Sequence, residues 1–130
     1  MTAPPPARLR RAERLVRGSD FRKAFRLGVR LDGPLFLMVA APNGRAFNRL
    51  GLAASRKMGG AVARNRAKRL LRESFRRHKV LGGFDLVLIP KAAILERTQG
   101  EVEREYGERL RRLATRGASR RARPGSPPPH

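Results

Sequence analysis

The stretch that decides the fold is residues 55–79, SRKMGGAVARNRAKRLLRESFRRHK. At about 100° per residue, one arc of a helix over this stretch collects Ala63, Ala67, Leu70, Leu71, Ser74 and Phe75. The opposite side carries cations at intervals of roughly one turn, namely Arg66, Lys68, Arg69, Arg72 and Arg76. The spacing therefore predicts a helix that docks on a core through one face and presents positive charge on the other.

The charge of this predicted helix is one-sided. A solvent-exposed helix normally mixes signs, because Glu placed one turn from Lys or Arg stabilises it. Here Glu73 is the only acid among the cations. The plain interpretation is a solvated face, but repulsion between like charges favours a surface that binds a polyanion. Arginine forms bidentate hydrogen bonds with phosphate, so phosphate is the expected ligand.

The composition of the whole chain points to the same class of partner. Its 130 residues carry a formal net charge of +21, which favours nucleic acid first and an anionic membrane surface second. There is no cysteine, which excludes disulfides and thiolate metal sites. No apolar run is long enough to span a membrane and the N-terminus has no segment of signal-peptide type, so we expect a cytoplasmic protein.

The remaining patterns predict an α+β class, a single small domain with elements in the order α-β-β-β-α-β-α. Besides the long helix, the predicted helices are 21–27 and 101–116, and the predicted strands are 28–32, 35–41, 49–55 and 84–89. Ser19 or Asp20 is expected to cap the first helix. Strand 49–55 is expected to pair with strand 35–41 as a hairpin, and a loop is expected at 80–83. In the last helix, one stripe of residues is expected to face the core: Val102, Tyr106, Leu110 and Leu113.

The two ends of the chain differ from this central part in composition. Residues 1–13 are rich in Pro and Arg, and residues 117–130, GASRRARPGSPPPH, are basic and of low complexity. Both are predicted to be disordered. The predicted domain is therefore 14–116.

Residues for catalysis are scarce. His78 stands at the end of the basic helix, where interaction with the helix dipole is its expected role, and His130 ends the sequence. Asp20, Asp32 and Asp85 are isolated in sequence, and no Walker loop, GxGxxG or HExxH motif is present. With one tyrosine and no tryptophan, a multi-base stacking platform is disfavoured. The sequence predicts an RNA- or DNA-binding module that contacts mainly the backbone, with no metal held by the protein.

A glycine pair precedes the predicted helix. Gly59 and Gly60 beside Lys57 suit a phosphate placed at a helix N-terminus. The nearby Arg64 and Arg66 strengthen that interpretation.

Residues 53–76, AASRKMGGAVARNRAKRLLRESFR, closely resemble the signature of the bacterial ribonuclease P protein component. The core of the resemblance is Arg64-Asn65-Arg66, followed by Lys68, Arg69 and Arg72. It extends to Arg14-Leu15, Asp20-Phe21, the run 49–52 and Phe84-Asp85, and covers roughly 14–116. The chain departs from the family at Gly60, where Asn is usual, and at Val39, where some members carry an aromatic residue.

This resemblance implies a protein subunit of ribonuclease P, a ribonucleoprotein whose RNA subunit performs the endonucleolytic removal of the 5′ leader from precursor tRNA. No catalytic residue is then expected on the protein, and Mg²⁺ is held through the RNA. The protein alone is expected to be a monomer. The residues expected to bind the ribonuclease P RNA are Arg56, Lys57, Arg64, Asn65, Arg66, Lys68, Arg69, Arg72 and Arg76.

The resemblance also implies a groove between the first helix and the sheet that takes the leader of precursor tRNA. Its expected lining is Phe21, Phe25, Phe36 and Lys57. The residue pattern alone leaves open whether Phe21 and Phe25 belong to the core or to this groove. The family fold further implies a four-stranded sheet in which the long helix makes a left-handed βαβ crossover, whereas the general rule favours a right-handed one.

Two other hypotheses share the small, basic profile. The first is a structural RNA-binding protein of ribosomal type without an enzymatic role, which would not enhance leader cleavage. The second is a stand-alone nuclease, which needs a carboxylate or histidine cluster that the sequence does not offer.

Overall fold

A computed structural model describes residues 11–78 and 82–121, with side chains for 12–78 and 82–116. Its helices are α1 (Gly18–Leu27), α2 (Ala61–Arg77) and α3 (Gln99–Arg121). Its strands are β1 (Val29–Leu31), β2 (Phe36–Pro42), β3 (Arg49–Leu52) and β4 (Phe84–Pro90). Short 3₁₀ turns occupy Arg11–Glu13, Arg56–Met58 and Ala92–Glu96. The α+β class and the predicted order of helices and strands are confirmed.

The four strands form one mixed sheet in the order β1-β2-β4-β3. β2 is antiparallel to both β1 and β4, while β3 and β4 are parallel, so α2 is the crossover between them. The predicted pairing of 49–55 with 35–41 is wrong, because β4 lies between β2 and β3. β4 is buried on both faces over most of its length, as suits a central strand. The handedness of the crossover stays a prediction.

The two faces of the sheet support separate apolar clusters. Along β2, Phe36, Met38 and Ala40 pack with α2 and α3, whereas Leu37, Val39 and Ala41 pack with α1. This alternation is the period of two that a pleated strand imposes. The core of the protein is therefore divided by the sheet into an α2/α3 side and an α1 side.

The apolar arc predicted for α2 docks on the α2/α3 side. Ala67, Leu70, Leu71, Ser74 and Phe75 are buried, and Ala63 is half-buried. Polar contacts fix the helix as well: the Ser74 hydroxyl donates to the Leu70 carbonyl at 2.9 Å, and Gln99 Nε2 donates to the same carbonyl at 3.0 Å. Burial on one side fixes which side of α2 faces solvent.

Helix α3 covers the same side of the sheet with its predicted stripe. Val102, Tyr106, Leu110 and Leu113 are all buried. Its first turn is closed by reciprocal hydrogen bonds: Thr98 Oγ1 accepts from the Glu101 N–H at 3.2 Å, and Glu101 Oε1 accepts from the Thr98 N–H at 3.1 Å. The helix continues to Arg121, so 117–121 belong to it rather than to the predicted tail.

The predicted chain ends, the predicted loop 80–83 and the predicted cap of the first helix have different outcomes. The rest of the predicted arm and tail, 1–10 and 122–130, and residues 80–81 of the predicted loop lie outside the described residues. Helix α1 begins at Gly18 with Arg17 as its N-cap and no side-chain cap, so the predicted caps Ser19 and Asp20 lie inside the helix. Asp20 instead forms an ion pair with β3, where it lies 3.6 Å from Arg49 Nη2.

Candidate nucleic-acid interface

The solvent side of α2 carries most of the predicted cations. Arg66, Arg69 and Arg72 are exposed, and Arg64 and Lys68 are half-buried. Within the part of the chain that the structure describes, no carboxylate lies within ion-pair distance of these side chains. Asn65 is exposed beside them. The first three turns of α2 thus present positive charge that the described protein does not neutralise.

The last turn of α2 is different. Glu73 accepts a hydrogen bond from Arg76 and lies 3.7 Å from Arg77 Nε. Arg77 Nη1 also donates to Glu103 of α3 at 3.0 Å. The predicted RNA-binding residue Arg76 is therefore half-buried and paired, and its charge is less available than that of Arg72. The spacing of Glu73 and Arg76 by three positions was the sequence signal for this pair.

His78 is the C-cap residue of α2, and its interaction with the helix dipole stays a prediction. Its Nε2 lies 3.3 Å from Glu103 Oε1, and its ring is 6.0 Å from that of Tyr106. Burial raises the pKa of the Tyr106 phenol. These contacts tie the end of α2 to α3 and give His78 a structural role.

Arg64 differs from the exposed cations of α2 in that part of its guanidinium is buried. Its Nε is buried and has no hydrogen-bond partner among the described residues. A guanidinium whose stem is packed loses less side-chain entropy when it binds a ligand than one that moves freely. Arg64 is therefore a partly preorganised cation at the start of the helix.

Positive charge also surrounds the N-terminal end of α2. Arg56 and Lys57 are exposed on the preceding 3₁₀ turn, which Ser55 caps by accepting from the Lys57 N–H at 3.1 Å. Gly60 is the N-cap of α2 and supplies no side-chain acceptor. The first intrahelical hydrogen bond runs from the Arg64 N–H to the Gly60 carbonyl, so the earlier N–H groups keep the positive end of the helix dipole. Phosphate binding at Gly59 and Gly60 stays a prediction.

On the other face of the sheet, α1 leaves part of the strand surface uncovered. Val39, Ala41 and Val87 are buried beneath it, whereas Leu37, Ala53 and Ile89 are only partly buried. These last three form a partly exposed apolar patch beside α1, which would be the floor of the predicted groove. The rings of Phe21 and Phe25 are partly buried against the same cluster, so each contacts both core and groove.

A close approach fixes Phe21 in this position. Gly51 of β3 is buried, and a Cβ there would lie 2.7 Å from Phe21 Cε1. Only glycine lets the ring pack against the strand. Phe25 is flanked by Arg30, whose Cζ is 6.0 Å from the ring centroid.

Phe36 does not line this groove, which corrects the expectation drawn from the family. It is 0% exposed, on the opposite face of the sheet, with its ring centroid 6.4 Å from that of Tyr106. A shift of one residue along a strand moves a side chain to the other face, and Leu37 takes the position in the groove. The continuous apolar run 35–41 held no signal that could have distinguished Leu37 from Phe36. Lys57 is exposed on the turn after β3, close in sequence to Ala53 of the floor.

The isolated acids of the sequence are engaged in the structure. Asp85 is 7% exposed and accepts from Arg49 Nε at 2.8 Å, from Arg49 Nη2 at 2.7 Å and from Asn43 Nδ2 at 3.0 Å. Burial alone would raise the pKa of the Asp85 carboxyl, but the hydrogen bonds from Arg49 and Asn43 hold that pKa below its usual range. The hydrogen bonds that Arg49 donates to Asp85 raise the pKa of Arg49.

Metal-binding groups and membrane-spanning helices are both absent from the described residues. No three histidine or acidic side chains among them are grouped so as to hold a metal ion. None of the helices described is both long enough and apolar enough to cross a membrane.

The fold and the basic helix can be compared with known proteins. A family model described as ribonuclease P matches residues 9–114. The ribonuclease P protein component of Dehalococcoides mccartyi (strain CBDB1) is 38% identical over 96 residues, which cover 74% of this chain and 80% of that protein. The corresponding protein of Nitrosococcus oceani is 46% identical over 86 residues, covering 65% of this chain and 72% of its own length.

Solved structures give the same result. The RNase P protein from Thermotoga maritima is 36% identical with a TM-score of 0.71, covering 77% of this chain and 96% of that one. The Staphylococcus aureus RNase P protein is 27% identical with a TM-score of 0.71, covering 79% and 96%. Because the family model spans most of the chain and these relatives are matched over most of their length, this chain belongs to the ribonuclease P protein family.

Proposed function

We propose that this chain is the protein subunit of a bacterial ribonuclease P and that it binds the catalytic RNA through the solvent side of α2. The single observation that carries the RNA-binding surface is the set of cations without carboxylate partners in the described protein: Arg64, Arg66, Lys68, Arg69 and Arg72. Family membership supports the enzyme over a structural protein of ribosomal type.

The electrostatics of α2 explain why a polyanion is the ligand. Like charges one turn apart destabilise an isolated helix, and phosphates placed between them remove that repulsion. If these cations meet about five phosphates, RNA affinity should fall by roughly two to three decades between about 50 and 200 mM salt. Arg56 and Lys57 extend the same surface around the N-terminal end of the helix.

The groove beside α1 is our proposed site for the 5′ leader of precursor tRNA. A single strand needs apolar or aromatic surface for its bases and positive charge for its phosphates. Phe21, Phe25 and Leu37 offer the first, and Lys57 and Arg30 offer the second. Binding there would favour precursor over mature tRNA, because only the precursor has a leader.

In this proposal the protein has no catalytic residue. Mg²⁺ for the cleavage is held by the RNA. The contribution of the protein is to neutralise phosphates and to position RNA strands. It acts in the bacterial cytoplasm and, before it meets the RNA, as a monomer.

Reconstitution tests the proposal. The protein is added to a transcript of a bacterial ribonuclease P RNA at low Mg²⁺, and cleavage of precursor tRNA is followed. We expect kcat/KM for leader removal to rise, and the double variant Arg66→Glu/Arg69→Glu to abolish the rise. Cleavage by the protein without RNA would instead favour a stand-alone nuclease. Absence of any stimulation, together with co-sedimentation with ribosomes, would favour the ribosomal type.

A further inference from the structure

We propose that the β2–β3 loop, residues 43–48, is a second RNA contact, at which Phe47 stacks on an unpaired base and Arg45 meets a neighbouring phosphate. The proposal deepens the proposed function and rests on it. The RNA is the one that binds α2, not the leader of the precursor.

The tip of the loop presents an aromatic ring to solvent. Phe47 is 36% exposed, and among the large exposed hydrophobic side chains of the described residues it is the only aromatic. Phe47 belongs to neither of the two core clusters, so part of its ring stays open to a ligand. Exposed aromatic rings beside arginines are the usual platforms for single-stranded bases, because every base has a face on which to stack.

Arg45 supplies the matching charge. Its Cζ lies 5.9 Å from the centroid of the Phe47 ring. No described carboxylate lies within ion-pair distance of Arg45. The nearby carboxylate, Asp85, is paired with Arg49 instead. An arginine beside an aromatic ring can stack with a base or bind its phosphate. The pair therefore offers both halves of a nucleotide site.

The loop is held in this conformation before any ligand binds. Asn43 Oδ1 accepts from the Arg45 N–H at 2.8 Å, and Asn43 Nδ2 donates to the Phe47 carbonyl at 3.2 Å and to Asp85 at 3.0 Å. The side chain of Asn48, at the end of the loop, accepts from the Phe84 N–H at 2.9 Å. A loop fixed at both ends loses little entropy on binding, which favours a recognition role over a simple connection.

The position of the loop decides which RNA it meets. A Cβ on Gly82 would lie 2.4 Å from the Ala46 carbonyl oxygen, so Gly82, just before β4, packs directly against the loop. The groove floor lies at the other end of the sheet, since Leu37 is about 17 Å along β2 from Pro42, where the loop begins. The loop is thus beside the C-terminal end of α2 and distant from the floor.

Tryptophan fluorescence offers a direct test, because the chain has no tryptophan. Phe47→Trp would place a single reporter on the loop, and Ala114→Trp would place one on the exposed side of α3 as the matched control. A bacterial ribonuclease P RNA transcript is titrated into each variant. We expect stacking to quench the reporter at position 47 and to leave the one at 114 unchanged.

Affinities separate stacking from general apolar contact. Phe47→Leu should weaken binding of that transcript by about 5- to 100-fold, whereas Phe47→Tyr should restore binding close to that of the unchanged protein. Arg45→Ala should lower the salt dependence of binding by about one phosphate contact. Phe47→Leu should leave the salt dependence of binding unchanged. Circular dichroism melting confirms that the variants are folded.

The outcomes distinguish this inference from the function on which it rests. If Phe47→Leu binds the transcript as tightly as the unchanged protein while Arg69→Ala binds more weakly, the loop contact is overturned and the proposed function stands. If the loss appears only for precursor tRNA carrying a leader, the assignment to the RNA that binds α2 is overturned. If the unchanged protein does not bind the transcript, both proposals fail.

Discussion

Helices α2 and α3 are both rich in arginine, yet they place the charge differently. In α2 a single acid, Glu73, stands near the C-terminal end, and the cations before it have no carboxylate partner among the described residues. In α3, Glu101, Glu105 and Glu108 are interspersed, and each contacts an arginine. Exposed arginines without a carboxylate partner also occur on α3, at Arg104, Arg111 and Arg112, but there glutamates stand among them. The comparison teaches that neither the number of arginines nor a single unpaired one identifies a binding surface, whereas a run of unpaired cations without intervening acids does.

The most buried arginine described in α3 shows what the pairing of arginines with glutamates does in this helix. Arg109 is 3% exposed, with Nη2 3.7 Å from Glu105 and Nη1 3.0 Å from Glu108. Glu105 Oε2 in turn accepts from the N–H groups of Leu35 and Phe36 at 3.1 and 3.3 Å. The charges of this group join α3 to the start of β2, so their role is structural.

The largest expected effect comes from breaking that structural group. Arg109→Ala leaves the buried Glu105 carboxylate without its cation and should lower the free energy of unfolding by about 3–5 kcal/mol. Urea denaturation measures the change. The RNA affinity of the protein that remains folded should be unaltered; a loss of affinity without a loss of stability would contradict the distinction between the helices.

Reversing charge on α2 should have the next largest effect, and it should appear in binding. Arg66→Glu/Arg69→Glu should weaken binding of ribonuclease P RNA at least about 100-fold, because two phosphate contacts become repulsive. The melting temperature should hardly change, since both side chains are exposed. The matched control is Arg104→Glu/Arg111→Glu, an equal change of charge on the exposed side of α3. Equal losses from the two double variants would show that net charge alone governs binding.

The paired charge of Asp85 in the sheet should contribute to stability, as the paired charges of α3 do. Asp85→Asn weakens the contact with Arg49 and should lower stability at neutral pH by about 1–3 kcal/mol. Because the pKa of Asp85 is below its usual 3.8, its stabilisation is complete above that pH and is lost as the pH falls through the folded-state value. The difference between the variant and the unchanged protein should therefore narrow below about pH 4. A difference in the free energy of unfolding that stays constant from pH 7 to pH 2 would show that the ionised carboxylate of Asp85 is not the cause.

The smallest effect on RNA affinity is expected near the C-terminal end of α2, where the unpaired cations give way to cations paired with Glu73. Arg76→Ala should reduce RNA affinity by no more than about threefold, whereas Arg72→Ala, one turn earlier, should reduce it by about tenfold. Filter binding at a single salt concentration measures both. A larger loss at Arg76 would mean that Glu73 releases it when RNA binds.

The sequence predicted most of this architecture where the signal was local. The arc of α2 and the stripe of α3 follow from a period of 3.6 residues, and both are buried as expected. The partner of β3 could not be predicted in this way, because strand pairing joins distant residues and β4 enters the sheet last. Asp20 was assigned to a helix cap for a similar reason: its contact with Arg49 arises only in the folded chain.

The candidate site was predicted in part. The cations of α2 were found from their spacing, and the resemblance to ribonuclease P proteins supplied their ligand. Phe36 was misplaced because apolar runs such as 35–41 do not reveal which face of the sheet each residue occupies. The exposed ring of Phe47 in the β2–β3 loop was not singled out, since its position depends on the hydrogen bonds of Asn43 and not on sequence spacing.

The most direct test of the central claim is the salt dependence of binding to a bacterial ribonuclease P RNA. For the unchanged protein, the logarithm of the affinity should fall linearly with the logarithm of the salt concentration, with a slope that corresponds to about five phosphates. Arg66→Glu/Arg69→Glu should reduce that slope by about two contacts, and Arg104→Glu/Arg111→Glu should leave it nearly unchanged. Affinity that is insensitive to salt, or a slope altered equally by both double variants, would contradict the claim that the unpaired cations of α2 bind the RNA.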